Sequence, residues 1–281
     1  MKEIIKDFKD LAKTKDLWQV YRDFLETTAI AISNVVDLKQ AKEREERYMQ
    51  IITPYNTDEV LKFAEILSLV AFELEKEPQD VLGKVFMELE LGNKWKGQCF
   101  TPQPLADTLA RLTFKEEEIK EKGFITALDP AVGGGVTMIA LVKEMLRRGY
   151  NPQKQLLVVC GDVDSKAVHM TYIQLSLLGV PAVVKNQNAL SGEVLDLWYT
   201  PNYIFDLWKF RRKRNVTKNW SSKAILLGNW REDLWPKVDK ANFRSYRRFI
   251  FSARPLWNMA FNGFSKLGGE LWILLCSSFK A

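Results

Sequence analysis

Short apolar runs alternate with stretches of helix-like spacing in the middle of this chain, and that alternation limits the possible folds more than any other feature. The apolar runs are 124–128, 156–160 and 181–184, and the helix-like stretches between them are 136–148 and 166–178. Strands and helices that alternate in this way predict an α/β fold with a mostly parallel sheet, covered on both faces. In such folds ligands bind beyond the carboxyl ends of the strands.

The part of the chain before this pattern is different. Apolar residues recur every three or four positions from Lys2 to about Leu91, for example at Val60, Phe63 and Leu67, which predicts an all-helical region. The sequence therefore predicts a helical N-terminal region over 1–95, followed by an α/β domain over 96–281. Asn56 or Thr57 is the expected N-cap of one of the helices.

Several classes of protein are disfavoured by the content of reactive residues. His169 is the single histidine, which argues against zinc sites and hydrolases with a histidine base, and we expect no metal. Cys99, Cys160 and Cys276 are far apart and odd in number, so we expect thiols rather than a disulfide framework. The longest apolar runs are much shorter than a membrane span, and the charged start lacks a signal sequence. We therefore expect a cytoplasmic protein that does not enter a membrane.

Basic charge is concentrated towards the C-terminal end. Residues 206–281 contain 16 Lys and Arg against 5 Asp and Glu, a net charge of +11, and the other residues carry −5 to give the total of +6. The densest cluster includes Lys209, Arg211, Arg212 and Arg214, and seven of the nine tryptophans follow Leu197. Cations among aromatic residues suit contact with DNA. The alternative is a Trp-rich core beneath a solvated basic surface.

A glycine-rich turn joins the first predicted strand to the following helix. It reads Asp129-Pro130-Ala131-Val132-Gly133-Gly134-Gly135. Glycines permit a tight turn whose backbone amides approach a ligand, and the N-terminus of the next helix favours negative groups. By itself this turn suits any nucleotide cofactor, or no ligand at all.

Polar residues also follow the next two predicted strands. Asp162 ends the second strand, where a carboxylate accepts hydrogen bonds from the hydroxyls of a ribose. Asp164 is the expected N-cap of the helix behind it. Asn186, Gln187 and Asn188 end the third strand with amides that suit the edge of an adenine ring.

Four short motifs in this order resemble those of the adenine-specific DNA methylases. They are Gly97–Pro102, Asp129–Gly135, Gly161–Asp164 and Asn188–Leu190. The resemblance covers about Asp80 to Phe205, and it is greatest to the modification subunits of type I restriction systems and to solitary methylases of phages and mobile elements. It implies a Rossmann-like methyltransferase domain that binds S-adenosylmethionine.

The resemblance also implies roles for individual residues. Thr101 contacts the methionine end of the cofactor, and the Asp129 loop, including Ala131, Gly133 and Gly135, wraps it. Asp162 holds the ribose, and Asn188 contacts the adenine amino group. The family pattern has Phe where Cys99 stands and Cys where Val132 stands, and these differences leave cofactor binding plausible.

The catalytic motif of the family does not occur. These methylases use Asn-Pro-Pro-Tyr or Asn-Pro-Pro-Phe at the end of the fourth strand to accept the hydrogens of the target amino group and to stack on the flipped base. The segment that matches by position contains Thr200, Pro201 and Tyr203, and Asn229 is the competing candidate.

The leading expectation is a methyltransferase that acts on the exocyclic amino group of adenine in DNA. One alternative is a weak or inactive relative that binds S-adenosylmethionine and DNA as a regulatory or interaction subunit. Another is a methyltransferase for RNA or protein. Since few residues follow the last predicted strand, target choice is expected from the helical region, the basic segment or a specificity subunit.

Overall fold

The structure, a computed structural model, describes residues 1–89, 101–206 and 208. Eleven helices and four strands lie in these residues. The helices are α1 (Lys2–Leu11), α2 (Leu17–Asn34), α3 (Ala41–Ile52), α4 (Thr57–Lys76), α5 (Val81–Glu88), α6 (Gln103–Thr113), α7 (Glu116–Lys122), α8 (Val136–Arg147), α9 (Pro152–Gln155), α10 (Ser165–Leu177) and α11 (Pro201–Phe205). The strands are β1 (Ile125–Asp129), β2 (Leu156–Asp162), β3 (Ala182–Gln187) and β4 (Val194–Tyr199).

The four strands form one open sheet in the order β1-β2-β3-β4. β1, β2 and β3 are parallel, and the crossovers between them run through α8 and α10. The prediction of an α/β fold with a mostly parallel sheet is therefore confirmed. β4 differs, because it pairs with β3 in the antiparallel direction. A loop of six residues, 188–193, joins β3 to β4, and so short a connection permits an antiparallel return but not a crossover.

Both faces of the two central strands are buried. Val158, Cys160 and Val184 lie on one face and belong to a core shared with α8 and α10. Leu157, Val159 and Val183 point to the other face and are also buried. Apolar residues at successive positions of a strand are expected when both faces are covered, so the continuous runs seen in the sequence have this cause.

The helical region packs against the same core as the sheet. Tyr21 on α2 donates a hydrogen bond to the carbonyl oxygen of Leu82 at 2.7 Å, and its ring packs against Phe8 and Phe86. Its hydroxyl also lies 3.4 Å from the sulfur of Met170 on α10. Helices α1 to α5 confirm the predicted all-helical start, and they share one core with the sheet. The predicted boundary between 95 and 96 falls outside the described residues.

Local capping follows the sequence. Asn56 is the N-cap of α4 and forms a capping box with Glu59, and Asp164 caps α10 by accepting from the amide of Lys166 at 3.0 Å. Each cap satisfies a backbone N–H that has no partner inside the helix. Both predicted caps are confirmed. None of the helices in the described ranges is long and apolar enough to cross a membrane.

Candidate functional site at the carboxyl ends of the parallel strands

The ends of β1, β2 and β3 bring the predicted ligand-binding residues to one edge of the sheet. Asp129 pairs in register with Cys160, and Asp162 pairs with Asn186. Because parallel strands end on the same side, Asp129, Asp162 and the residues after Gln187 lie at this edge. The structure thus brings together the residues predicted for the glycine turn, the ribose and the adenine ring.

The glycine turn has the geometry that its sequence predicts. Gly133 and Gly135 have φ angles of 56° and 96°, which are in the left-handed region that favours glycine. A Cβ atom on Gly135 would also lie 2.9 Å from the hydroxyl oxygen of Thr171. These two positions therefore require glycine for backbone conformation, and Gly135 requires it for space as well.

The backbone amides of the turn are bonded within the protein. Those of Ala131 and Gly133 donate to the carboxylates of Asp129 and Asp162, each at 3.0 Å. The amide of Val132 donates to the carbonyl oxygen of Gly161 at 2.9 Å, and that of Gly135 donates to Val132 at 3.0 Å. These four amides are therefore not free to bind an anionic ligand. The turn presents carboxylates where a phosphate-binding loop presents free N–H groups.

Asp162 and Asp129 each accept two hydrogen bonds, one on each carboxylate oxygen, but from different partners. One oxygen of Asp162 accepts from Gly133, and the other accepts from the amide of Asp164 at 3.0 Å. Since a carboxylate has about four acceptor positions, Asp162 keeps positions for the hydroxyls of a ligand. Asp129 instead accepts from Ala131 and from the hydroxyl of Thr137 at 2.7 Å, so it fixes the turn to the start of α8.

Asn188 is exposed at the end of β3, and its side-chain oxygen is already occupied. That oxygen accepts from the amides of Leu190 at 3.0 Å and Ser191 at 3.3 Å. Two bonds fill the two lone pairs of an amide oxygen, whereas the amide nitrogen donates to none of the residues that the structure describes and keeps its donors. In this arrangement Asn188 offers a donor that suits a ring nitrogen of adenine. It does not offer the acceptor that the adenine amino group needs.

Two apolar side chains at this edge were not predicted as site residues. Val163, directly after Asp162, is 68% exposed, and Leu190, two residues after Asn188, is 99% exposed. Apolar surface beside polar groups that fix orientation is typical of small-molecule sites. Their signal in the sequence is their position next to Asp162 and Asn188.

A buried polar cluster behind the glycine turn was also missed. Thr171 donates to the carbonyl oxygen of Gly133 at 2.9 Å, and Gln174, one helical turn later, donates to that of Gly134 at 2.8 Å. Gln174 also donates to Asp80 at 2.9 Å. The available signal was a pair of polar residues, spaced three apart, in a helix whose buried residues are mostly apolar.

Thr101 lies beside this cluster. It lines a cavity of about 240 Å³ together with Gln103 and Val136, the first residue of α8. The remainder of its motif, Gly97 to Phe100, falls outside the described residues. The structure thus places Thr101 near the glycine turn, on the side that faces α5.

The predicted catalytic segment lies at the opposite edge of the sheet. Because β4 is antiparallel, its end lies beside the start of β3, and the amide of Thr200 donates to the carbonyl oxygen of Ala182 at 3.0 Å. Asn186, at the ligand edge, is four residues further along β3, a separation of roughly 13 Å. Thr200, Pro201 and Tyr203, which were predicted as catalytic from their match to the end of the fourth strand, therefore lie away from the ligand edge.

The same segment has a clear structural role instead. The hydroxyl of Thr200 is buried, accepts from the amide of Ala182 at 2.7 Å and donates to the carbonyl oxygen of Val180 at 2.8 Å. The amide group of Asn202 donates to the carbonyl oxygens of Gly179 and Gln153. Pro201 starts α11, and the ring of Tyr203 stacks on Tyr199. These contacts fix the turns at this edge.

Of the remaining candidate residues, His169 is in the described part of the chain and five others are outside it. Asn229 and the basic residues Lys209, Arg211, Arg212 and Arg214 lie outside the described residues. His169 is described and is buried on α10, where its ring meets Trp198 edge-on at 4.9 Å. Burial lowers the pKa of His169 to about 4. Within the described ranges no group of three His, Cys, Asp or Glu side chains is arranged to hold a metal ion.

Comparison of the chain with models of known protein families, with characterised proteins and with solved structures finds no match.

Proposed function

We propose that this chain binds S-adenosylmethionine at the edge formed by β1, β2 and β3, and that it is a cytoplasmic methyltransferase of the adenine-specific DNA type. The observation that carries the proposal is the bond between the amide of Gly133 and the carboxylate of Asp162 at 3.0 Å. This bond joins the glycine turn to the acid that follows β2. A Rossmann-like cofactor site requires these two parts to be adjacent.

The groups at this edge favour this cofactor over a dinucleotide. A dinucleotide needs free loop amides for its pyrophosphate, and four amides of this turn are bonded to protein groups, two of them to carboxylates. S-adenosylmethionine has no phosphate and carries a positive sulfonium, so carboxylates favour its binding. Its ribose hydroxyls match the acceptor positions left on Asp162, and its purine ring matches the donor of Asn188.

The roles of the chain's own residues follow from these contacts. Asp162 accepts from the ribose, Asn188 donates to the purine ring, and Val163 and Leu190 shield the ring from water. Asp129 and Thr137 hold the turn against α8. When bound, the cofactor supplies a methyl group on a positively charged sulfur, which is open to attack by an exocyclic amino group. DNA is the proposed substrate, and the basic residues Lys209, Arg211, Arg212 and Arg214 are its proposed contacts.

A second candidate function is favoured by the position of Thr200. Because this residue serves as a buried support at the opposite edge, the acceptors for the target amino group are not supplied by the Thr200 segment. The chain is then a relative that binds S-adenosylmethionine and DNA without turnover, as a regulatory or interaction subunit, with a specificity subunit as a further proposed partner.

Calorimetric titration with S-adenosylmethionine tests the cofactor site. We expect binding by the wild type and none by Asp162→Ala. Asp164→Ala is the matched control, because it removes a carboxylate two residues away whose role is to cap α10. If the wild type does not bind, or if both variants bind equally well, the proposed site is wrong.

Transfer of labelled methyl groups to unmethylated DNA separates the two functions. Incorporation that Asp162→Ala abolishes identifies the enzyme. Binding without incorporation on any DNA identifies the non-catalytic relative.

DNA contact is tested by replacing Arg211, Arg212 and Arg214 with Gln. We expect weaker binding and a shallower salt dependence, by about 0.9 in slope for each lost phosphate contact. Replacing Lys115, the N-cap of α7, and Lys120 and Lys122 within α7 with Gln removes the same charge elsewhere and serves as the control.

A further inference from the structure

A buried carboxylate on the far side of the glycine turn has one oxygen that forms a hydrogen bond with none of the described residues. Asp80 is 4% exposed, and its Oδ1 atom accepts from the amide of Gly83 at 2.8 Å and from Gln174 at 2.9 Å. Its Oδ2 atom forms no hydrogen bond with the described residues, and none of those residues forms an ion pair with Asp80. Enclosed side-chain atoms without a hydrogen-bond partner occur at Asn34, Ser176, Asn186 and Trp208 in the described ranges but not at Asp80, so Oδ2 is open to the space beside it.

The free oxygen lies against the glycine turn. A Cβ atom placed on Gly134 would be 2.7 Å from Oδ2 of Asp80. Gly134 directly follows Gly133, whose amide bonds to Asp162. Asp162 and Asp80 therefore lie against successive residues of the glycine turn.

Asp80 also lines the cavity that contains Thr101. At about 240 Å³ this cavity is smaller than the roughly 300–1,000 Å³ of sites that hold a whole ligand. It therefore suits one end of a ligand whose other end lies elsewhere. Val136, the first residue of α8, also lines the cavity, so the cavity borders the C-terminal end of the glycine turn.

The charges along α5 alternate within this cavity. Asp80, Lys84 and Glu88 are four residues apart on one face of the helix and all line the cavity. Four residues correspond to about 6 Å along a helix, a spacing that suits neighbouring groups of opposite charge. Lys84 donates to Gln79 at 2.8 Å, and among the described residues this bond leaves two of its three N–H groups for a ligand.

We infer that Asp80 and Lys84 recognise the α-amino acid end of the cofactor, with the Asp80 carboxylate accepting from the ammonium group and the Lys84 ammonium donating to the carboxylate. This inference rests on the proposed cofactor site. It adds two specificity-determining residues from the helical region, and it makes α5 part of the binding site. Thr101 forms the facing wall of the same cavity.

Burial is the main cause that raises the pKa of Asp80 above its ordinary value, and the hydrogen bonds from Gln174 and Gly83 and the positive charge of Lys84 oppose it. An ammonium group beside Oδ2 stabilises the ionised form. Binding of the ligand's ammonium group thus offsets the free energy that burial of the ionised carboxylate costs.

A pair of ligands tests this inference. S-adenosylmethionine contains the amino acid end, and methylthioadenosine lacks it but keeps the adenosine and the sulfur. Asp80→Asn is isosteric and keeps an oxygen for Gly83 and Gln174, so it changes the charge at the cavity and little else. Since a hydrogen bond to a charged group contributes appreciable energy, we expect Asp80→Asn and Lys84→Met each to weaken S-adenosylmethionine about 10-fold or more. Binding of methylthioadenosine is expected to stay unchanged.

Three controls make the outcomes separable. Lys39→Met removes an exposed lysine elsewhere, thermal unfolding checks that each variant is folded, and Asp162→Ala is expected to weaken both ligands. If Asp80→Asn weakens both ligands equally, or neither, the inference is overturned while the proposed adenosine site stands. If the wild type binds neither ligand, the proposed function fails and the inference fails with it.

Discussion

Gln174 donates a hydrogen bond to the carbonyl oxygen of Gly134 at 2.8 Å and so connects α10 to the glycine turn. The same amide group donates to Asp80, and its oxygen accepts from the amides of Val81 at 2.7 Å and Leu82 at 3.1 Å. Gln174 is fully buried, and these four bonds use its whole hydrogen-bonding capacity. One side chain thus joins the turn, the helical region and α10.

Replacing Gln174 with Glu is expected to destabilise the protein strongly. The change removes two donors and places a second carboxylate against Asp80 and the carbonyl oxygen of Gly134. Breaking a buried network in this way costs about 3 kcal/mol or more in the free energy of unfolding. Urea denaturation followed by circular dichroism measures the effect.

The same substitution at Gln155 is the control. Its side chain acts as an acceptor, from the amide of Asn151 at 2.9 Å, and Glu keeps that oxygen. We expect a change within about 0.5 kcal/mol. Equal effects at both positions contradict the assigned role of Gln174.

Gly135→Ala is expected to cost more stability than Gly149→Ala. Both residues have positive φ angles, 96° and 80°, so both substitutions cost roughly 1–2 kcal/mol in backbone energy. At Gly135 the added Cβ also lies 2.9 Å from the hydroxyl of Thr171, whereas nothing lies within 4 Å at Gly149. Comparing the melting temperatures of the two variants isolates the contact.

A double-mutant cycle with Thr171→Ala tests whether this contact is the cause. Removing the Thr171 hydroxyl relieves the clash, so the combined loss of stability should be less than the sum of the single losses. Strictly additive losses show that backbone strain accounts for the whole effect at Gly135. S-adenosylmethionine binding, measured in parallel, reports whether the turn has moved.

Thr200→Val is expected to lower stability and leave cofactor binding unchanged. Valine has nearly the shape of threonine but cannot replace the hydroxyl that bonds to Ala182 and Val180, and leaving those backbone groups without it costs about 1–3 kcal/mol. Thermal unfolding and calorimetric titration give the two measurements. If the variant keeps normal stability but loses methyl transfer, Thr200 has a catalytic role rather than a structural one.

Stability should fall as the pH decreases from about 6.5 towards 4, in part because of His169. Burial lowers the pKa of this residue to about 4, so the unfolded chain binds a proton in this range that the folded protein does not. The stabilisation is therefore present above the unfolded value near 6.5 and is lost progressively below it. At full loss it amounts to about 3 kcal/mol.

The measurement is urea denaturation of wild type and His169→Gln at pH 7.5, 6.5, 5.5 and 5.0. Most carboxylates remain ionised there, so the difference in slope between the two proteins reports the histidine. If the free energy of unfolding changes with pH in the same way for the two proteins, another group causes the pH dependence.

The parallel part of the sheet was predictable because its signals are local. The apolar runs of β1, β2 and β3, the glycine turn after β1 and the capping residues Asn56 and Asp164 all depend on neighbours a few positions away. Backbone conformation at Gly133 and Gly135 is equally local, since a positive φ angle favours glycine wherever the turn occurs. Within the described residues these predictions agree with the structure.

The sequence by itself determined the helical start, the three parallel strands with the helices α8 and α10 between them, and the residues that reach the ligand edge, since periodicity and turn chemistry act over short distances. The tertiary structure alone decided the direction of β4, which moved Thr200 to the opposite edge, and the pairing of Gln174 and Asp80, 94 positions apart, behind Gly134. The direction of a strand depends on how the chain reaches the edge of the sheet, and the hydrogen bonds of a buried side-chain amide depend on residues that are distant in the sequence. Neither can be predicted from a short stretch of sequence.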